Sequence, residues 1–206
     1  MMKRTMLALA FSVSAGSVQA QTFVFGSSAG VQPANVGTIT LTQVNSTTVK
    51  VLLDLINNTY GILNTGNKTP FAFTLSGTEV GVSATFLQPV GGVYGSGTFS
   101  FSTNDGSATP FGTFGMSILN SANNGSGNAY YGDLEFNLIR LSGLSTTDFV
   151  ANSLGYYFGA DLTNGQNTGS QGWNMRTMST VPEPASVALM ASGLLALGVV
   201  ARRKRA

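Results

Sequence analysis

Apolar and polar residues alternate over short runs in the middle of the chain, and the period is two. In TVKVLLDLI (Thr48 to Ile56), Val49, Val51, Leu53 and Leu55 share one face of an extended segment, with Lys50 and Asp54 on the other. FAFTL brings Phe71, Phe73 and Leu75 together, and GDLEFNLIRL sets Leu134, Phe136 and Leu138 against Asp133, Glu135 and Asn137. Each run predicts a strand with one buried and one solvated side. Turn formers punctuate these runs: NTGN from residue 64, NDG from 104, NNGSGN from 123 and TNGQNTG from 163. Strands at this spacing predict an all-β body over residues 21–180, folded as an antiparallel β-sandwich. LSTTDFVAN is the one local exception. There Ser145 and Asp148 have capping-box spacing, with Asp in place of the usual Glu or Gln, which predicts a single helical turn. No long helical periodicity precedes residue 185.

The two ends of the chain follow other patterns. MMKRTMLALAFSVSAGSVQA has a short basic region, an apolar run from Met6 to about Ala15, and small residues at Val18 and Ala20 flanking Gln19. This is the layout of a signal peptide over residues 1–20, cut between Ala20 and Gln21. A run of this length is too short to cross a bilayer. At the other end, Pro182 and Pro184 lack amide hydrogens and disfavour helix in the residues before them, so VPEP is expected to be extended and accessible. Residues 185–201 carry no charge and would reach about 26 Å as a helix, just enough for a single transmembrane span. Arg202, Arg203, Lys204 and Arg205 then act as a stop-transfer cluster that holds the end in the cytoplasm.

Composition narrows the chemistry. The net charge of +2 comes from the termini, because between Gln21 and Thr180 only Lys50, Lys68, Arg140 and Arg176 stand against seven carboxylates, a net charge of −3. No basic stripe is available for phosphates, which argues against a nucleic-acid partner. Cysteine and histidine are both absent. That removes a disulfide frame, Ser-His-Asp and Cys-His nucleophiles, and the usual zinc sites. Nothing calls for a metal or another cofactor.

Candidate binding residues come from two similar segments, YYGDLEFNL from Tyr130 and YYFGADLTN from Tyr156. Asp133 and Glu135 lie two apart on one strand and project to the same side, with Tyr131 near them; Tyr157 and Asp161 form the matching set. Were the two strands neighbours, tyrosines and carboxylates would line one outward face suited to sugar stacking or to Ca²⁺. An ordinary solvated sheet face is the competing explanation. Trp173, the only tryptophan, either packs at the core edge or projects as a stacking platform. A glycosidase would need two carboxylates held about 5 to 9.5 Å apart in a cleft. No pair is fixed in that way by the sequence, so the chain is not expected to be an enzyme.

The order Val181-Pro182-Glu183-Pro184, a short apolar helix and an Arg-rich end resembles the PEP-CTERM sorting domain, also known as an ice-binding-protein C-terminal domain. The resemblance covers residues 181–206. It implies that the general secretory machinery exports the chain, that residues 185–201 anchor it transiently in the inner membrane, and that exosortase processes it near Val181, Pro182, Glu183 and Pro184. It further implies a destination at the cell surface or matrix of a Gram-negative bacterium, with links to extracellular polysaccharide and biofilm. On this reading the body has a structural or interaction role. A carbohydrate- or calcium-binding module is the second reading, and a glycoside hydrolase a distant third.

Overall fold

The computed structural model describes residues 20–28, 35–56, 59–66, 68–122 and 125–173, all within a compact unit that spans Gln19–Thr180. The expected leader up to residue 19, the VPEP element, the apolar span and the basic end lie outside the described residues. Among the described residues, no helix is long and apolar enough to cross a membrane.

Among the described residues, sixteen strands occur in chain order. They are β1 (Ala20–Phe25), β2 (Ser27–Ser28), β3 (Gly37–Asn45), β4 (Thr48–Leu55), β5 (Gly61–Ile62), β6 (Phe71–Leu75), β7 (Val82–Gln88) and β8 (Val93–Tyr94). After these come β9 (Gly97–Ser102), β10 (Gly106–Ser107), β11 (Thr113–Phe114), β12 (Met116–Asn120), β13 (Leu134–Arg140), β14 (Phe149–Val150), β15 (Phe158–Thr163) and β16 (Thr168–Trp173). Every pairing among the described residues is antiparallel. Five strands form one sheet in the order β1-β3-β4-β13-β7, and nine form a second along the path β2-β16-β15-β6-β12-β9-β8, with β14 beside β6 and β5 beside β15. β10 and β11 make a separate hairpin.

The alternating runs occupy the elements that their period predicts. Val49, Val51, Leu53 and Leu55 of β4 are buried, as are Leu134, Phe136 and Leu138 of β13, and β13 lies against β4 with Phe136 opposite Val51. The inward side chains of both sheets meet in one core. Phe136 of the smaller sheet touches Phe71 and Phe73 of the larger at ring-centroid distances of 6.3 and 6.2 Å, and Phe23 meets Phe158 edge-on at 4.9 Å. Aromatic pairs at such spacings add about 0.5–1.5 kcal/mol each beyond the area they bury.

The larger sheet is also covered on its far side. The β10-β11 hairpin folds over it, so Ala72, Ala108 and Phe114 form a second apolar cluster. Glycine makes this approach feasible at Gly159, where an added Cβ would come within 2.6 Å of the Ala108 side chain and 2.8 Å of the Phe114 ring. β15 is consequently buried along its whole length.

The expected helical turn is present as a 3₁₀ segment, Thr146–Asp148. The Ser145 hydroxyl accepts from the Thr147 N–H at 3.3 Å, and the Asp148 carboxylate accepts from the Ser145 N–H at 2.8 Å, which completes a capping box. Ala20 and Gln21, between which the cut is expected, are the first two residues of β1.

Candidate functional site

The first candidate residues lie on the solvated face of the five-stranded sheet. β4 and β13 are adjacent, with Lys50 opposite Asn137 and Leu53 opposite Leu134. Alternation turns Lys50, Asp54 and Glu135 outward. Lys50 Nζ reaches Glu135 Oε1 at 2.8 Å. Extending the register one step past Leu53 and Leu134 brings Asp54 beside Asp133. The carboxyl of Asp133 is held above its ordinary range, first by lost hydration and then by the charges of Asp54 and Glu135. Tyr131 is exposed, while Tyr130 is half-buried and donates from its phenol to the Asp133 carbonyl at 3.0 Å. Burial, followed by the Asp133 charge, raises the Tyr130 phenol.

The result is a strip of three carboxylates and one lysine. Such a strip can accept hydrogen bonds from hydroxyl groups and attract hydrated cations. Among the described residues, no group of three or more acidic side chains is placed to hold a metal ion.

Tyr157 and Asp161 lie elsewhere. Their segment enters β15 of the nine-stranded sheet, whereas Glu135 lies on β13 of the five-stranded one with Asp133 just ahead of it, so Asp161 and Glu135 do not share a sheet face. Tyr130 bridges instead to Ile62 of β5, which brings the Tyr131 ring toward Gly61 and Gly165 beside β15. Tyr157 packs its ring against Phe23 at 5.8 Å. Asp161 is fully buried beneath the segment that follows β5. One carboxylate oxygen accepts from the Thr65 hydroxyl at 2.5 Å, and the other has no hydrogen-bond partner. Burial raises its carboxyl, against the pull of Thr65 and of the Lys68 charge. Trp173 closes β16, with its backbone opposite Phe158.

A feature that sequence reasoning missed is a surface notch of about 410 Å³ lined by Gln43, Ser46, Ser142, Gly143, Leu144, Ser145 and Asp148. Three turns converge there. Gln43 donates to the Leu144 carbonyl at 2.7 Å and accepts from the Thr146 N–H at 3.2 Å. Arg140, nearly buried, donates to the Gly143 carbonyl at 2.6 Å, to the Ser76 carbonyl at 2.7 Å and to the Asp148 carboxylate at 2.5 Å. The acid at the notch is therefore already engaged, and the wall offers solvent mainly serine hydroxyls. The Ser145 and Asp148 spacing was the only sign of this corner in the sequence.

Beyond the body, the order of Pro-Glu-Pro, apolar run and basic cluster matches the family model described as the PEP-CTERM protein-sorting motif, over residues 180–205. The chain carries a PEP-CTERM motif. The match spans Val181, Pro182, Glu183 and Pro184 at its start and Arg202, Arg203, Lys204 and Arg205 at its end. A PEP-CTERM motif implies export, transient membrane anchoring and sorting by exosortase to the exterior of the cell. No curated protein and no solved structure matches the chain.

Proposed function

We propose that this protein is an exported, exosortase-sorted component of the surface or extracellular matrix of a Gram-negative bacterium, where its β-sandwich body serves a structural or interaction role beside extracellular polysaccharide. The PEP-CTERM motif at residues 180–205 carries this reading. VPEP, whose two prolines disfavour helix, supplies the element for the processing enzyme to recognise, the uncharged sequence 185–201 has enough residues for a bilayer span, and Arg202 to Arg205 supply the barrier to translocation.

The test is the intact mass of the protein from the native host's envelope and medium. A species that begins at Gln21 and ends near Pro184 is the expected result. A membrane-bound species that retains Arg202 to Arg205 would make the tail a permanent anchor and end the sorting proposal.

A second reading, a carbohydrate- or calcium-binding module, rests on the strip formed by Asp54, Asp133 and Glu135. Titrating acidic polysaccharide or Ca²⁺ against the full chain is its test. An unchanged melting temperature would remove it.

A further inference from the structure

The triplet Asn-x-Ser/Thr is an acceptor sequence for sugar transfer to an asparagine amide, and in this chain it occurs at Asn45, Asn57, Asn67 and Asn124. Such triplets arise by chance in a chain rich in asparagine and threonine, so the fold has to distinguish them. Asn57, Asn67 and Asn124 lie outside the described residues. The threonine that completes the Asn67 triplet is described, and it is engaged in the fold. Thr69 is 7% exposed, and its hydroxyl accepts from the Ser107 N–H at 2.9 Å.

The triplet at Asn45 forms the tip of the hairpin between β3 and β4, where Asn45 stands opposite Thr48. Asn45 and Ser46 are exposed, and Thr47 is half-buried. The Asn45 side-chain oxygen accepts from the Thr47 N–H at 2.9 Å and from the Thr47 hydroxyl at 3.0 Å. A backbone N–H can only donate, so the oxygen is the atom held inside the turn and the amide nitrogen, Nδ2, is the one turned away from it. Nδ2 makes no hydrogen bond among the described residues. The bond from the hydroxyl draws electron density toward the oxygen, which makes an Nδ2 proton easier to remove. The tip is held in this shape by its backbone: the Ser46 carbonyl accepts from the Leu144 N–H and the Thr47 carbonyl from the Arg140 N–H, both at 3.0 Å. Beside it lies the open space of the notch, walled here by the hydroxyls of Ser46, Ser142 and Ser145.

We infer that Asn45 is a glycosylation site, with Thr47 as its positioning residue. The donor is a glycosyl diphosphate, lipid-linked or nucleotide-linked, presented by a transferase. Asn45 Nδ2 attacks the anomeric carbon of the sugar. A C–N bond forms as the C–O bond to the diphosphate breaks, the diphosphate leaves with the electron pair, and one Nδ2 proton passes to a base of the transferase. The attachment is independent of how the tail is processed, so failure of the sorting proposal leaves it standing.

Peptide mapping of the full chain from its native host provides the test. The tryptic peptide that ends at Lys50 contains Asn45 and none of the other three acceptors. It should be heavier than its sequence by at least one hexose or N-acetylhexosamine, and electron-transfer fragmentation should place that mass on Asn45. Thr47→Ser, which keeps the hydroxyl, should retain the added mass, whereas Thr47→Val and Asn45→Gln should lose it. Addition to the chain that still begins at Met1 would assign the nucleotide-linked donor, and addition only to the exported chain the lipid-linked one. A peptide at its sequence mass, or changed by deamidation alone, would overturn the proposal. So would a glycan on another acceptor with Asn45 bare, or a modified Asn45 that is indifferent to Thr47→Val.

Discussion

At Asp161 a carboxylate has lost its water and regained one good hydrogen bond, from Thr65, while its other oxygen has no partner. Desolvation dominates, so the native carboxyl holds its proton to higher pH than the unfolded one does. The native state then binds more protons than the unfolded state, and stability falls as pH rises through the window from the ordinary carboxylate value up to the raised native one. Each unit of raised pKa contributes about 1.4 kcal/mol to that fall. Asp161→Asn should therefore flatten the dependence of melting temperature on pH in this window, which a series of thermal melts from acid to neutral pH can check. An Asp161→Asn protein with the slope of the parent would mean that the carboxylate is solvated. The sequence hid this residue, because alternation in FGADLT turns Asp161 away from the central core, and only the β10-β11 hairpin and the segment after β5 cover that side.

The elements themselves were legible where the period-two pattern is long. β4, β6 and β13 took the faces that Val49, Phe71 and Leu134 and their alternating mates indicated, and Ser145 with Asp148 marked the 3₁₀ turn. Partnership between strands was not legible, since alternation fixes a face and says nothing of a neighbour. β13 and β15 read as similar strands of one sheet but lie in two. β2, β5, β8, β10 and β11, at two residues each, are too short to carry any period. The 3₁₀ turn has a mechanical role that its short length conceals. Asp148 caps it, pairs with Arg140, and through its carbonyl accepts from the Ser76 N–H at 2.8 Å, so it ties the turn after β6 to the one after β13. Asp148→Asn would leave a nearly buried guanidinium without its counter-charge. Because Asp148 is partly solvated, the expected cost is about 2–3 kcal/mol, below that of a fully buried pair. Urea unfolding should report it, together with a melting temperature lower by about 5–10 °C.

For the whole molecule, the decisive fact is that both sheets share one aromatic core. Phe136 lies between Phe71, Phe73 and Phe86, and its removal leaves a void felt from both sides. Phe136→Ala is expected to cost about 3–5 kcal/mol. Hydrogen exchange should quicken in β6 as well as in β4 and β13; acceleration confined to the five-stranded sheet would show the two layers to be energetically separate.

The pairing of β2 with β16 brings Ser27 and Ser28 alongside Gln171 and Gly172, near opposite ends of the described chain. A polypeptide that emerges N-terminus first cannot complete its larger sheet until those last residues arrive. The five-stranded sheet needs nothing beyond β13, so it can assemble while the rest is still in transit. Closure of the second layer is deferred until β16, the last strand before the sorting motif among the described residues, has come through.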